Sequence, residues 1–261
     1  MQITLIGAGN LATNLGKALW RAGHDIKEVY SRTMASAEAL ACKLGARATN
    51  DLASVESGAD VYILAVKDSA LEAVAGALAR IGADGVVFLH TAGSVQMSVF
   101  EGRFKHFGVL YPMQTLSKDK EVEFTEIPFF VEGNGERSLQ LARALAESVS
   151  EHVYDCSSEQ RRHLHLAAVF ACNFVNHCYA LSARLLEKQG IPFGVMLPLI
   201  DETARKVHAL SPIEAQTGPA VRYDENVIRM QADLLSDEPE LRELYLKMSE
   251  SIHAATLNAN H

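Results

Sequence analysis

A short apolar strand that runs straight into a glycine turn constrains this chain more than any other segment. Residues 3–12 read ITLIGAGNLA. Gly7 can take the tight turn after the strand, Gly9 lets the backbone come close to a phosphate, and Ala12 is small enough for the next helix to pack on the strand. A bare glycine pattern of this type is weak evidence. Here it follows ITLI, opens the helical stretch 10–21 and precedes a second strand, IKEVYS. In that context it predicts a dinucleotide-binding βαβ unit. Gly7, Ala8, Gly9, Asn10 and Leu11 are then the cofactor contacts, with phosphate charge resting on the N–H groups at the helix start.

The end of the second strand reads Tyr30-Ser31-Arg32-Thr33. A carboxylate at this place binds the ribose 2′-hydroxyl of NAD, whereas an arginine accommodates the 2′-phosphate of NADP. No Asp or Glu stands here, so Ser31, Arg32 and Thr33 predict NADP(H) as cofactor. The structural alternative for Arg32 is a surface arginine paired with a helix carboxylate.

The bulk properties are those of a globular chain. Its 261 residues suffice for one large domain or two modest ones, with 48% hydrophobic and 21% charged residues. A formal charge of −8 argues against nucleic acid and anionic membranes as partners. Cys42, Cys156, Cys172 and Cys178 form no Cys-x-x-Cys pair, so neither a disulfide framework nor a metal site is expected. The first strand begins at residue 2, leaving no room for a signal peptide, and no uninterrupted apolar run approaches a membrane span. These features predict a cytoplasmic protein.

Up to about residue 155, β-rich runs (ITLIG, IKEVYS, VYILAV, VVFLHT, HFGVLY, PFFVEG, HVYDC) alternate with Ala-rich helical stretches. That alternation predicts an α/β, doubly wound Rossmann-like domain over residues 1–155. Ser69 and Glu72 stand at capping-box spacing for one of these helices. Residues 156–261 carry helical patterns only, predicting an all-α C-terminal domain for substrate binding and dimerisation. Ser157 and Gln160 have capping-box spacing at its start, and Asp224 suits a later N-cap. The first helix runs to Gln189, before Gly190 and Pro192. A helix of some 30 residues spans about 45 Å, too long for a small domain to cover alone, so a homodimer is expected.

On a regular helix, Cys172, Asn176 and Ala183 fall within about 20° of His165, flanked by Ala168, Val169 and Asn173, while Phe170, Phe174, Leu181 and Leu185 cluster on another side. Such a small-and-polar stripe either packs against another helix or lines a cleft. The second reading makes His165 the candidate proton carrier, with Asn173 and Asn176 orienting substrate. Cys172 reads as core. After the strand VVFL, the loop His90-Thr91-Ala92-Gly93-Ser94 lies where ligands collect beyond carboxyl strand ends. Ala92, Gly93 and Ser94 are therefore candidates for binding the anionic end of a small substrate. Thr217 and Gly218, in the turn Gln216–Arg222, either hold such a substrate or fix a helix connection.

GAGNLA, SRT, AVKDSAL, HTAGS, YPMQT, HLHLAAVFACNF and QTGPAVRYD occur in an order that resembles a family of bacterial NADP-linked oxidoreductases, over nearly the whole chain. Members pair a Rossmann-like domain with a C-terminal helical domain of unknown function. More distantly the layout is similar to pyrroline-5-carboxylate reductase, 6-phosphogluconate-type dehydrogenases and deazaflavin-linked NADP reductases. The resemblance implies a cofactor cleft between the domains and dimerisation through the helices. It adds Val66 and Lys67 of AVKDSAL to the cofactor contacts, and supports His165, Asn173 and the Thr217-Gly218-Pro219 turn. Relatives often have His-Pro at Tyr111-Pro112 and Arg-Gly-Asp at Arg222-Tyr223-Asp224. The function expected is NADP(H)-dependent reduction of a small carbonyl or imine, or the reverse oxidation. The alternative is a non-catalytic dinucleotide-binding regulatory or interaction protein.

Overall fold

In the computed structural model, which describes residues 1–81, 84–118, 120 and 122–259, the chain forms two compact units, Met1–His177 and Cys178–His261. The first is built on an eight-stranded sheet. In chain order its strands are β1 (Gln2–Ile6), β2 (Asp25–Tyr30), β3 (Arg47–Thr49), β4 (Val61–Leu64), β5 (Val87–His90), β6 (His106–Pro112), β7 (Phe129–Gly133) and β8 (Val153–Asp155). They lie in the order β3-β2-β1-β4-β5-β6-β7-β8. All neighbours pair in parallel except β6 and β7, which are antiparallel. The expected Rossmann-like fold is present. Only β3 was not foreseen, because RAT carries no apolar run and forms a short edge strand.

The strands are apolar on both faces because helices cover both. Ile3, Leu5, Ile63 and Leu89 point to one side, where they pack with Leu15 and Leu19 of α1 (Asn10–Arg21), Leu40 and Leu44 of α2 (Met34–Leu44), and Leu145 of α4 (Glu136–Glu147). Their neighbours Ile6, Tyr62, Leu64 and Phe88 point to the other side, against Leu71, Ala75 and Leu78 of α3 (Asp68–Leu78) and against Phe100 and Phe104. The period of two is the pleat itself, and each such buried side chain contributes roughly 1.5–3 kcal/mol.

The capping box expected at Ser69 and Glu72 is corrected. α3 begins two residues earlier, at Asp68, with Lys67 in the N-cap position and no side-chain cap bond. Glu72 instead pairs with Arg103 at 3.1 Å. The box at Ser157 and Gln160 does form: Gln160 N–H donates to Ser157 Oγ (3.2 Å) and Ser157 N–H to Gln160 Oε1 (2.9 Å). It opens α5 (Ser158–Ala168), which passes through a π-helical segment, Val169–Phe174, into α6 (Val175–Glu187).

α5 is tied to the sheet by Arg161. Its side chain is fully buried, pairs with the Glu132 carboxylate of β7, and donates to the Val95 carbonyl at 2.6 Å and to Ser158 Oγ at 3.1 Å. Glu132 also accepts from the Ser158 N–H and hydroxyl, both at 2.8 Å. These contacts place residues 158–177 with the sheet, so the compact units divide between His177 and Cys178 rather than after residue 155, where the sequence texture changes.

The continuous helix Ser158–Glu187 also amends the expectation about apolar runs. By length and composition it is long and apolar enough to cross a membrane, with a mean hydropathy of 1.3 over an 18-residue window, none of it buried. Counting uninterrupted apolar residues misses it, because His, Asn and Cys interleave between Arg162 and Arg184 without adding a carboxylate, Lys or Arg.

The second unit is helical: α7 (Leu197–Ala209), α8 (Pro212–Ala215), α9 (Glu225–Asp233) and α10 (Pro239–Ala259). Asp224 caps α9 by accepting from the Val227 N–H at 3.3 Å. Tyr223, where the resembled pattern has Gly, adopts φ +49°, and its ring lies 4.7 Å from that of His253.

Candidate functional site

At the glycine turn the two glycines answer different demands. Gly7 has φ +128°, and a Cβ there would lie 2.3 Å from the Ala65 carbonyl oxygen, so the fold itself excludes any other residue. Its N–H donates to the Tyr30 carbonyl at 2.8 Å. A Cβ on Gly9 would meet no protein atom within 4 Å. What Gly9 leaves open is the approach to the start of α1, which has no side-chain cap bond and no acidic residue in its first turn. Unsatisfied N–H groups facing open space are the donor set a pyrophosphate needs.

Around this turn lies a cavity of about 540 Å³ whose walls include Gly7, Ala8, Gly9, Ser31, Arg32, Thr33, Val66 and Lys67. Eight of the ten expected cofactor residues are thus brought together. Asn10 and Leu11 are not in the wall. The Asn10 amide donates to the Leu116 carbonyl at 2.9 Å, and Leu11 packs against the core. Tyr30, Ser36, Ala65, Ser69, Ala70 and Val74 complete the lining. The small ones among them became visible only once β4 and α3 were placed beside the turn. Among the described residues no carboxylate pairs with Arg32, so the surface-pair alternative is not seen.

A second cavity, about 530 Å³, lies at the end of β6 and along α5 and the π-helical segment. Its walls include Tyr111, Met113, Gln114, Thr115, His165, Ala168, Cys172 and Asn173. The Tyr111 hydroxyl and His165 Nδ1 are 3.1 Å apart, with their rings edge to face at 71°. A Cβ on Gly93 would come within 2.6 Å of His165 Nδ1 and 3.0 Å of Tyr111 Cζ. Only glycine lets this loop close on the pair. Burial pushes the Tyr111 hydroxyl pKa up; Arg161 opposes that shift and Asp68 reinforces it.

Two expectations for this helix are corrected. Asn176 is exposed and does not line the cavity, whereas Asn173 does. The π-helical segment puts an extra residue into its turn and rotates the residues beyond it by roughly 100° from a regular α-helical course. Cys172, read as core, stands in the cavity wall, on the side of the helix that it shares with His165. Such segments recur at functional sites, and a uniform 3.6-residue period cannot reveal them.

In the expected anion site, the donors of Ala92 and Ser94 have partners within the protein. The Ala92 N–H donates to His90 Nδ1 at 3.2 Å, and the Ser94 hydroxyl donates to the Asp68 carboxylate. Both donors are engaged within the protein. Thr217 and Gly218 belong to the second unit, where Gly218 takes φ +109° in the turn.

Residues 2–91 match the family described as NADP oxidoreductase, coenzyme F420-dependent, and residues 127–252 match a domain of unknown function, DUF2520. A solved structure from Bacteroides fragilis, provisionally named an NADP oxidoreductase, is 55% identical over 97% of this chain and 98% of its own, with a TM-score of 0.93. The chain belongs to this family of NADP-dependent oxidoreductases. The fold is shared with a pyrroline-5-carboxylate reductase from Coxiella burnetii (21% identity, 98% and 97% of the two chains, TM-score 0.60). It is shared also with an imine reductase from Myxococcus stipitatus in complex with NADP+ (17% identity, 99% and 94%, TM-score 0.66). No curated protein matches the chain.

Behind the loop that carries Gly93 lies a buried titratable group. His90, at the end of β5, is fully buried, and its Nε2 has no hydrogen-bond partner among the described residues. Burial, then the charge of Arg161, lower its pKa from 6.5 to about 3, against a smaller opposing pull from the Gln96 backbone. The folded protein therefore keeps His90 neutral where the unfolded chain takes up a proton. The resulting stability is fully present above about pH 6.5 and is lost progressively toward pH 3. Urea melts of the wild type and of His90→Asn, which keeps an acceptor for the Ala92 N–H, should diverge over that window. The wild type should lose stability more steeply, and parallel curves would exclude the assignment.

Proposed function

We propose that the protein reduces a small carbonyl or imine with NADPH, with the Tyr111–His165 pair as its proton-handling group. The observation that carries this reading is the 3.1 Å Tyr111–His165 contact in the wall of a cavity otherwise lined by uncharged residues. The open approach at Gly9 and the donors Ser31, Arg32, Thr33 and Lys67 fit the cofactor's phosphates. NADPH bound there supplies hydride to the substrate carbon and becomes NADP+. The substrate oxygen or nitrogen then needs one proton. With His165 Nδ1 engaged by the Tyr111 hydroxyl, Nε2 is the atom left to deliver it. Tyr111 fixes the ring's orientation, Gly93 closes the loop behind the pair, and Asn173 offers an amide to orient substrate. The named activities of the Coxiella and Myxococcus proteins favour a C=N substrate.

We further propose a homodimer. On the helix Ser158–Glu187, Leu166, Phe170 and Phe174 are 55%, 61% and 50% exposed in the single chain, an apolar face that a second copy would cover. Four free cysteines suit the reducing cytoplasm.

Cofactor choice tests the first cavity. Charge-assisted bonds to a 2′-phosphate are worth about 10- to 150-fold in affinity. Arg32→Ala should remove most of the NADPH preference while NADH affinity stays nearly constant; equal affinities in the wild type would sink the assignment.

Catalysis tests the second cavity. Against a panel of imines, aldehydes and keto acids, His165→Gln should lower kcat by about 10²–10⁴-fold with Tm and NADP affinity unchanged. Tyr111→Phe should lower it less and alter its pH profile. An unchanged kcat in His165→Gln ends the catalytic assignment.

Assembly is read by light scattering at micromolar concentration. Twice the chain mass is expected, from an interface of roughly 2,000 Å² or more. A monomer, or material that stays soluble only in detergent micelles, counts against the dimer.

A further inference from the structure

The cavity at the Tyr111–His165 pair has two walls, held in different ways. One is the helix that carries His165, Cys172 and Asn173, and the other is the segment after β6, where Met113, Gln114 and Thr115 line the space. That segment soon loses the support of the sheet. The Met113 N–H still reaches the Pro128 carbonyl at 2.9 Å, but the Gln114 N–H turns back to Pro112 (3.2 Å) and the Thr115 N–H bonds to the Gln114 side-chain oxygen (2.8 Å). Among the described residues, Leu116 and Ser117 make no backbone–backbone bond. Their carbonyls are taken instead by α1, 106 and 103 residues earlier in the chain. The Asn10 amide donates to the Leu116 carbonyl at 2.9 Å. Asn14 Nδ2 donates to the Ser117 carbonyl and to the Asn10 carbonyl, each at 2.9 Å. Asn14 is buried, and these two acceptors satisfy both of its amide N–H groups. α1 is the helix whose start adjoins the cofactor cavity at Gly9, and Asn10 is its first residue.

We propose that Asn10 and Asn14 are positioning residues for the substrate, which fasten the Met113–Ser117 wall to the cofactor-binding helix. The inference rests on reading the cavity as the substrate site of the proposed reductase. Hydride transfer needs cofactor and substrate held in register, and a wall tied to α1 stays in register with whatever the start of α1 binds. An irregular segment has no ladder to hold its carbonyls, so the two amides supply what the sheet no longer does. Asn10 then serves both sides: its backbone N–H belongs to the uncapped first turn, and its side chain belongs to the wall. Truncating that side chain leaves the backbone donor in place, which separates this role from a cofactor contact. Each bond is worth about 2- to 13-fold in the equilibrium between a seated and a loosened wall. Substrate binds the seated form, so loosening raises KM, while saturating substrate reseats the wall and restores kcat.

The test reads amide hydrogen exchange in Asn10→Ala, Asn14→Ala and the double variant, beside NADPH titrations followed by its fluorescence. Asn10 is exposed, so its truncation spares the core even where that of the buried Asn14 does not. In Asn10→Ala the Gln114 and Thr115 amides should exchange about 2- to 13-fold faster, with β4 and β5 amides and NADPH affinity unchanged. The double variant should exceed either single one. Exchange that stays the same, or that quickens throughout the sheet, overturns the proposal. Weaker NADPH binding by Asn10→Ala with the segment's exchange unaltered also overturns it, and makes Asn10 a cofactor contact. With 1-pyrroline as substrate, the double variant should raise KM about threefold or more and hold kcat within about twofold. Faster exchange with an unchanged KM overturns the positioning role. A wild type that does not turn over 1-pyrroline removes the imine reading, and exchange with NADPH titration then decides the tether alone.

Discussion

The buried pairing of Arg161 with Glu132 is the contact on which the site's geometry rests. A guanidinium taken wholly out of water is tolerable only where a carboxylate and further acceptors surround it, and Glu132, Val95 and Ser158 do so. Glu132 stands on β7 opposite Val109, two residues from Tyr111 on β6. Arg161 stands four residues before His165, on the same side of α5. One ion pair therefore fixes both the strand that carries the hydroxyl and the helix that carries the imidazole. It also holds the Val95 end of the loop that contains Gly93. The Tyr111–His165 contact is thus supported by an ion pair that involves neither residue.

Much of the first cavity was legible in the chain itself, since a glycine turn between an apolar strand and a helix has few structural solutions. Gly7, Gly9, Arg32 and their neighbours could be named because backbone geometry dictates their places. The second cavity was legible only in part. His165 and Asn173 were found from helical spacing, but spacing assumes a constant twist, and the π-helical segment breaks it just where the wall is formed. Asn176 falls outside that wall for this reason, and Cys172, read as core, stands in it. Tyr111 stood out only as a departure from a resembled pattern, with nothing to say that it would meet a histidine 54 residues on.

The two cavities also divide the electrostatic labour. The first gathers Arg32, Lys67, hydroxyls and an uncapped helix start, all suited to phosphate. The second is lined by uncharged residues. A chain with net charge −8 can thus gather the donors a polyanion needs, because local groups rather than total charge set each affinity.

Gly93 has a bearing on how this protein can diverge. A single methyl group there would overlap the imidazole nitrogen and the phenol ring together, so the position is closed to mutational drift although it carries no chemistry. Gly9, by contrast, presses on no protein atom, and its neighbourhood can accept change wherever a ligand does not forbid it. Among descendants of this sequence, altered cofactor preference is therefore reachable in small steps. A rearranged Tyr111–His165 contact demands concerted replacement of the loop and the two rings.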